Sequence, residues 1–458
     1  MTNNHYDLLV IGAGAAGSNA ATVAAENGAR VALVERDELG GTCLNYGCDP
    51  TKTLLHIAAL LYQARHADQY GLRIPEANYD WSAVQTRVHQ VINQIRGGSS
   101  EEGAQSLAKQ GIEVILSQAC FTSAHELTAG GRNISADRII IAAGCKALVP
   151  PIEGLKEHGF ITNVEAVSLP ALPARLAVIG GGAIGIEFAQ MFHRFGVEVT
   201  VIERSPHLLD KEDRELADAL CAMLVQSGIH METGAELRRV QRGEHGKKVT
   251  YHLAQGGDKE IEVDEILLSL GREPALEALH VEVAGVQTSR RGIVVDETLR
   301  TTVPHIWAAG DVTGDLQFTH YADAQGKLAA HNAFAEHPQS FAGHVIPWVT
   351  YTDPALAHVG RTEEELRQAG VQYKVSRLPF AEIERAIIDG RTDGLVKLLV
   401  DQQGAILGGH ILGVDADNLL APIVVAMQAG LPARALGDTI LPYPTLSESV
   451  RWAADKTH

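Results

Sequence analysis

Cys43 and Cys48 are the residues of this chain whose types and spacing most plainly invite chemistry. They lie in Gly40-Gly41-Thr42-Cys43-Leu44-Asn45-Tyr46-Gly47-Cys48-Asp49-Pro50-Thr51-Lys52, in a sequence with only five cysteines. Joining them closes almost no loop, so the bond would add little stability; the pair reads as a working disulfide rather than a staple. Geometry constrains it. Positions five apart in a regular helix have Cα atoms roughly 8–9 Å from each other, and a disulfide needs them within about 7 Å. The spacing therefore predicts a distorted turn between the two, which Gly47 eases. A disulfide in such a turn is readily reduced and reoxidised. The alternatives are a zinc half-site and two unrelated buried thiols; no second cysteine pair completes a zinc site, so no metal ligands are assigned.

The elements that must position this pair can be read around it. Residues 6–11 form an apolar run, followed by Gly12-Ala13-Gly14-Ala15-Ala16-Gly17 and an alanine-rich helix ending near Gly28. Residues 30–35 form a second strand that closes on Glu35. The pattern recurs with a strand at 175–179, the turn Gly180-Gly181-Gly182-Ala183-Ile184-Gly185, a helix over 186–195 and a strand at 198–203 that closes on Glu203. In both copies the acid lies 23 residues after the first glycine (12 to 35, 180 to 203). A lone GxGxxG is weak evidence; two copies with matched spacing, each between strand and helix, indicate two dinucleotide sites. The first glycine permits the tight turn, the second lets backbone approach the pyrophosphate, and the third lets helix pack on strand. The helix N-terminus supplies N–H donors and the positive dipole end, and the acid accepts the ribose hydroxyls.

A third landmark, Thr302-Val303-Pro304-His305-Ile306-Trp307-Ala308-Ala309-Gly310-Asp311, reads as a buried strand ending in a Gly-Asp turn at a sheet edge. Beyond about residue 341, short β-like runs (395–400, 406–412) alternate with helical stretches such as 362–369, which reads as a separate α+β domain.

Length and composition bound the function. A chain of 458 residues with 45% hydrophobic and 21% charged content is an ordinary globular protein of two to four domains. A formal charge of −18 argues against nucleic acid and anionic membranes as partners. Residues 1–7 contain no Lys or Arg, unlike the start of a signal peptide. No run of the length needed to cross a membrane is visible, so a cytoplasmic location is expected.

The motifs together resemble the flavin-dependent pyridine nucleotide-disulfide oxidoreductases, the group that includes dihydrolipoamide dehydrogenase, glutathione reductase and mercuric reductase. The matching segments are the first GxGxxG with Glu35, GGTCxNxGCxPxK, and GGGxIGxEFA at 180–189. They continue with Gly271-Arg272-Glu273-Pro274, Ala308-Ala309-Gly310-Asp311, Thr352-Asp353-Pro354 leading to Val359-Gly360, and Pro444-Thr445-Leu446-Ser447-Glu448. The resemblance implies an α/β fold: an FAD-binding domain over 1–150, an NAD(P)-binding domain over 151–269, a return segment over 270–340 that completes the FAD domain, and an α+β dimerisation domain over 341–458. It implies a homodimer in which each active site uses a C-terminal segment of the other subunit.

Roles follow by position. Cys48 looks like the thiol nearest the flavin, and Cys43 like the interchange thiol that meets the substrate. Lys52 would lie near the flavin and pair with Glu187. FAD contacts are implied at Gly12, Gly14, Ala15, Ala16, Gly17, Glu35, Gly41, Thr42, Lys52, Ala119, Gly144 and Asp311. Gly180, Gly182, Ile184, Gly185, Glu203 and Gly271 would serve the nicotinamide cofactor. Glu203 favours NADH, because it would repel a 2′-phosphate, although the adjacent Arg204 leaves NADPH open.

Departures from the pattern narrow the function. Thiol-disulfide members carry a histidine before Pro-Thr, forming a His–Glu dyad. Here Tyr443 stands there with Glu448 retained, and mercuric reductases carry tyrosine at that position. A phenol with pKa about 10 is a poor base near neutrality; packing at the interface is the other role open to it. The cysteine pair that ends mercuric reductases has no counterpart, since the last cysteine is Cys221 and the sequence ends Ala453-Ala454-Asp455-Lys456-Thr457-His458. Efficient mercury detoxification is therefore not expected. Cys120, Cys145 and Cys221 read as packing residues. Asp49 would oppose a Cys48 thiolate or mark a helix start with Pro50, and His56 lies one helical turn after Lys52. The sequence thus reads as a homodimeric FAD enzyme passing electrons from NAD(P)H through Cys43–Cys48 to a disulfide or a soft, thiol-reactive electrophile or metal ion. Dihydrolipoamide dehydrogenase is the alternative enzyme, and a non-turnover flavin redox sensor the alternative of another class.

Overall fold

A computed structural model describes residues 4–457; Met1–Asn3, part of the leader reading, and the terminal His458 lie outside the described residues. The strand His5–Ile11 pairs in parallel with Val31–Glu35 on one side and Arg132–Ile141 on the other. Both of its faces are covered, which is why Leu8, Leu9 and Val10 run on without polar alternation and are fully buried. Ile112–Leu116 extends the sheet beyond Val31–Glu35, and Ile306–Ala308 pairs in parallel with Arg132–Ile141. The third landmark is therefore a strand of only three residues, because Val303 to His305 form a turn in which the Ile306 N–H bonds the Val303 carbonyl.

A second parallel sheet runs in the order His230–Thr233, Glu198–Glu203, Arg175–Ile179, Glu265–Leu268. Its helix, Ala183–Arg194, begins three residues before the predicted start, since the extended Gly182 is already the N-cap. The three antiparallel strands Ala235–Arg242, Lys247–Leu253 and Asp258–Val263 accompany it. Cys145–Ala147 pairs with Arg272–Pro274 where the chain leaves the first sheet and returns to it. Residues from 347 onward build a five-stranded antiparallel sheet, Pro347–Thr350, Ala355–Gly360, Ile406–Gly413, Leu395–Val400, Lys374–Pro379, with helices against it. No described helix is long and apolar enough to cross a membrane.

Two helix contacts aim the site. Thr319–Phe334 lies so close to Ala15–Glu26 that a Cβ on Gly326 would come within 2.1 Å of the Ala16 carbonyl oxygen. Ala183–Arg194 packs on Cys48–Arg65, which brings the second nucleotide-binding unit against the cysteines.

Candidate active site

The predicted break between the cysteines is present. Cys43 lies in the helix Gly41–Tyr46, Gly47 breaks the run at φ −128°, ψ −111°, and Cys48 is the first residue of Cys48–Arg65. A Cβ on Gly47 would come 2.9 Å from the Thr42 carbonyl oxygen, so the break admits little but glycine. Both cysteines are free here. Asp49 does not cap the helix, as Gly47 holds that position without a side-chain bond.

The two thiols are unequal. The Cys48 thiol is lowered to about 6, chiefly by the hydrogen bond from Cys43, then by the Thr319 hydroxyl and the Lys52 charge, against burial and Asp49. The Cys43 thiol is pushed well above its ordinary range by its bond to Cys48 and by burial. At neutral pH the pair therefore holds one proton, on Cys43, and a thiolate on Cys48, at the N-terminus of an 18-residue helix whose dipole favours it. The Thr319 hydroxyl oxygen lies 3.4 Å from the Cys48 sulfur.

Lys52, one turn after Cys48, donates to Glu187 Oε2 at 2.8 Å, and the Tyr351 N–H donates to Glu187 Oε1 at 2.8 Å. The Lys52 ammonium lies 4.4 Å from the centre of the Tyr351 ring. Burial alone would lower the lysine, but Glu187 more than offsets it and holds Lys52 above its usual value. Thr319 and Tyr351 escaped the sequence reading; each lies at the end of an element far along the chain, and no local spacing marks it. His56, on the same helix, is exposed.

The residues fit dinucleotides. Gly12 and Gly180 have φ +99° and +110°, and a Cβ on Gly17 or Gly185 would come within 1.8 or 2.1 Å of the carbonyl oxygen of Gly12 or Gly180. A Cβ on Gly182 would meet nothing within 4 Å, and one on Gly14 only Gly41 at 3.9 Å, so both second glycines face open space. Neither helix carries a side-chain cap, which leaves its first N–H groups for a phosphate. Glu35 is buried and accepts from the Ala13 and Asp37 N–H groups at 2.7 and 2.9 Å; Glu203 accepts from Gly181 and Ser205, each at 2.6 Å. A cleft of about 390 Å³ is lined by Gly12, Gly14, Glu35, Gly41, Thr42, Ala119 and Gly144.

Other predicted residues fall outside that lining. Ala16 is buried against the Thr319–Phe334 helix, while Ile184 is 43% exposed. Gly271 has φ +107° at the return strand, and its carbonyl accepts from the Leu148 N–H. Asp311 is held 3.4 Å from Arg272, burial pushing its carboxyl up and Arg272 opposing. Cys145 does more than pack: it lines the cleft and donates to the Asp311 carbonyl at 3.2 Å.

Among the described residues, no hydrogen bond joins Tyr443 to Glu448. Tyr443 is 68% exposed, and the Glu384 carboxylate holds its phenol above its ordinary value. Glu448 is buried, and its Oε2 accepts from the Thr445 N–H at 3.3 Å. Among the described residues, no hydrogen bond joins residues 443–448 to the cysteine helices of the same chain.

A thiolate held between a thiol, a hydroxyl and an ammonium, reached from two dinucleotide folds, belongs to a redox flavoenzyme. The pyridine nucleotide-disulphide oxidoreductase family model matches residues 6–326, its dimerisation domain matches residues 346–454, and the chain belongs to this family. It is 36% identical to a mercuric reductase of Bacillus cereus over 98% of this chain and 71% of that one, and 36% identical to a dihydrolipoyl dehydrogenase of Thermus scotoductus over 99% and 97%. Its fold superposes on the HOCl-induced flavoprotein disulfide reductase RclA of Escherichia coli with a TM-score of 0.88, at 34% identity over 98% and 99% of the two chains. A Cu(II) complex of that reductase superposes with a TM-score of 0.87, at 34% identity over 97% and 98%. The chain is thus an FAD-dependent disulfide oxidoreductase that uses NAD(P)H.

Proposed function

We propose that the chain works as a homodimer that carries electrons from NADH through Cys43 and Cys48 to a soft, thiol-binding acceptor, a metal ion such as Hg(II) or Cu(II) in preference to a dithiol/disulfide substrate. The observation that carries this is Tyr443 in the place of the base, its phenol held above its ordinary value by the Glu384 carboxylate. A phenol raised in this way remains protonated near neutrality and cannot take a proton from a thiol. Oxidising a dithiol needs such a base. A soft metal ion does not, because coordination itself displaces thiol protons. The mercuric reductase relatives and the Cu(II) complex of the E. coli reductase support this reading.

Bound FAD and nicotinamide supply two-electron transfer; the chain's own residues do the rest. Gly12, Gly14, Ala15, Ala16, Gly17, Glu35 and Asp311 hold the flavin, with Cys145 bracing the Asp311 loop. Gly180, Gly182, Ile184, Gly185 and Glu203 hold the nicotinamide cofactor. Lys52, kept charged by Glu187, and Thr319 stabilise negative charge on Cys48. Cys43 is the thiol that meets the acceptor. With a disulfide acceptor, Cys43 sulfur bonds one acceptor sulfur and the other leaves as a thiol; Cys48 then attacks Cys43, forming Cys43–Cys48 and releasing the second thiol. The domain limits are 1–150, 151–269, 270–340 and 341–458, and the last domain places Tyr443 and Glu448 toward the partner's site.

The test is a panel of acceptors with NADH as donor. Turnover with Hg(II) or Cu(II) exceeding that with lipoamide supports the reading, and faster lipoamide turnover refutes it in favour of a dihydrolipoamide dehydrogenase. A redox sensor would reduce with NADH and turn over with none of them.

A further inference from the structure

Between the second nucleotide-binding sheet and the five-stranded sheet lies a buried polar cluster that the proposed chemistry does not use. Glu212 precedes the helix Arg214–Gln226, and its side chain is 4% exposed. Its Oε1 accepts from the Trp348 indole N–H at 2.9 Å. Its Oε2 lies 3.6 Å from His358 Nδ1, and neither of these two atoms has a hydrogen-bond partner among the described residues. His358 Nε2 lies 2.9 Å from the Gly360 carbonyl oxygen. A carbonyl only accepts, so Nε2 carries the ring hydrogen of a neutral imidazole, and Nδ1 presents a lone pair. A carboxylate and a lone pair, both buried, then face each other, which costs free energy unless one proton lies between them.

The same cluster is wired to the thiolate. Trp348 and His358 are cross-strand partners with rings stacked 3.8 Å apart. The other neighbour of Trp348 is Phe318, stacked at 5.5 Å and 12°. Phe318 is the N-cap of Thr319–Phe334, so the next residue is Thr319, whose hydroxyl faces Cys48. The His320 ring nitrogen also lies 2.7 Å from the Pro347 carbonyl oxygen. The strand bearing Trp348 thus fixes the helix end that meets the thiolate.

We propose that Glu212 and His358 hold one shared proton in the core, and that Glu212, through Trp348 and Phe318, is a positioning residue for the Thr319 hydroxyl at Cys48. The groups facing the pair leave room for one proton and no more. On the Glu212 loop, Lys211 is a weak attraction and Asp213 a repulsion. Asp213 is itself paired with Lys397 at 2.8 Å, and Lys397 also bonds Glu215 and Glu363, which Arg377 bridges. On the sheet side His410 stands edge-on to His358 at 4.7 Å, its Nε2 bound to the Arg361 carbonyl. Burial, then His410, keeps His358 well below its usual range, so the proton rests on Glu212. Burial raises Glu212 to about 7, against the hydrogen bond from Trp348. The inference concerns the setting of Cys48 and stands whichever acceptor the dithiol serves.

The test is the rate of iodoacetamide alkylation at Cys48 in the reduced holoenzyme, followed by mass spectrometry from about pH 5 to 9. The rate should rise once as Cys48 itself ionises. It should rise again by about fivefold as Glu212 loses its proton, because loss of one hydrogen bond of about 1 kcal/mol frees a more nucleophilic thiolate. In Glu212→Gln the amide N–H replaces the shared proton and the amide oxygen keeps Trp348, so the first rise remains and the second vanishes. A second rise that persists in Glu212→Gln, or is missing from the wild type, overturns the proposal. If Glu212→Gln does not fold, Trp348→Phe keeps the ring stack and removes the indole N–H. Glu212 then holds its proton more tightly, and the second rise must move to higher pH; an unmoved rise overturns the proposal.

Discussion

Glu448, the acid that sequence places beside Tyr443, is turned to the backbone N–H of Thr445, while the Glu384 carboxylate raises the Tyr443 phenol. The tyrosine stays a neutral phenol near neutrality. Dihydrolipoamide oxidation should therefore be slower than reduction of the flavin by NADH by roughly 10²–10⁴, the usual worth of general-base help. Comparing stopped-flow flavin reduction with steady-state lipoamide turnover checks this. Tyr443→His should raise lipoamide turnover without changing flavin reduction; no gain would mean that neither acid orients the imidazole.

Cys48, lowered to about 6, should be a thiolate at neutral pH in the reduced enzyme and should protonate as pH falls through that value. Thiolate absorbance in the ultraviolet measures it. Cys43→Ser keeps a hydroxyl donor and should preserve most of the signal, whereas Cys48→Ser should abolish it together with any long-wavelength charge-transfer band. A band surviving in Cys48→Ser would reassign the flavin-side thiol.

Glu187 is buried while Lys52 is one-third exposed, so Glu187→Ala strands both the ammonium and the Tyr351 N–H. A loss on the order of 2 kcal/mol is expected, less than for a fully buried pair because solvent screens the lysine. Urea unfolding of holoenzyme reads it, and an unchanged midpoint would show that Lys52 finds another partner.

The raised Glu212 predicts a pH-dependent stability. An acid whose folded value, about 7, exceeds its unfolded value of 4.5 favours the fold fully below pH 4.5 and loses that contribution as pH rises through 7. Other carboxylates titrate in the same range, so the measurement is the difference in Tm between wild type and Glu212→Gln. That difference should shift against the wild type from about pH 4.5 to 7 and then level off; a constant offset would mean that Glu212 does not titrate.

Ile440 is 95% exposed, with Ile388 and Val425 also well exposed on the dimerisation domain. Ile440→Glu should weaken the homodimer, seen by sedimentation as a concentration-dependent monomer, with acceptor turnover falling in proportion. A monomer of full activity would show each site to be complete in one chain.

The sequence by itself determined the two dinucleotide folds and the reactive pair. Their signals are local: a glycine whose Cβ would strike a carbonyl, as at Gly17, Gly185 and Gly47, admits no substitute, and an acid 23 residues on must end the next strand. Burial on both faces made the first strand legible as an unbroken apolar run. The electrostatics of the site came only with tertiary structure. Thr319 lies 271 residues from Cys48, Glu187 lies 135 residues from Lys52, and Glu384 is brought to Tyr443 across the last domain. A proton's position depends on which groups face each other within a few ångströms, and no spacing along the chain encodes that. The Glu212–His358 pair was invisible for the same reason, because each residue alone reads as an ordinary polar side chain and only packing buries the two side by side.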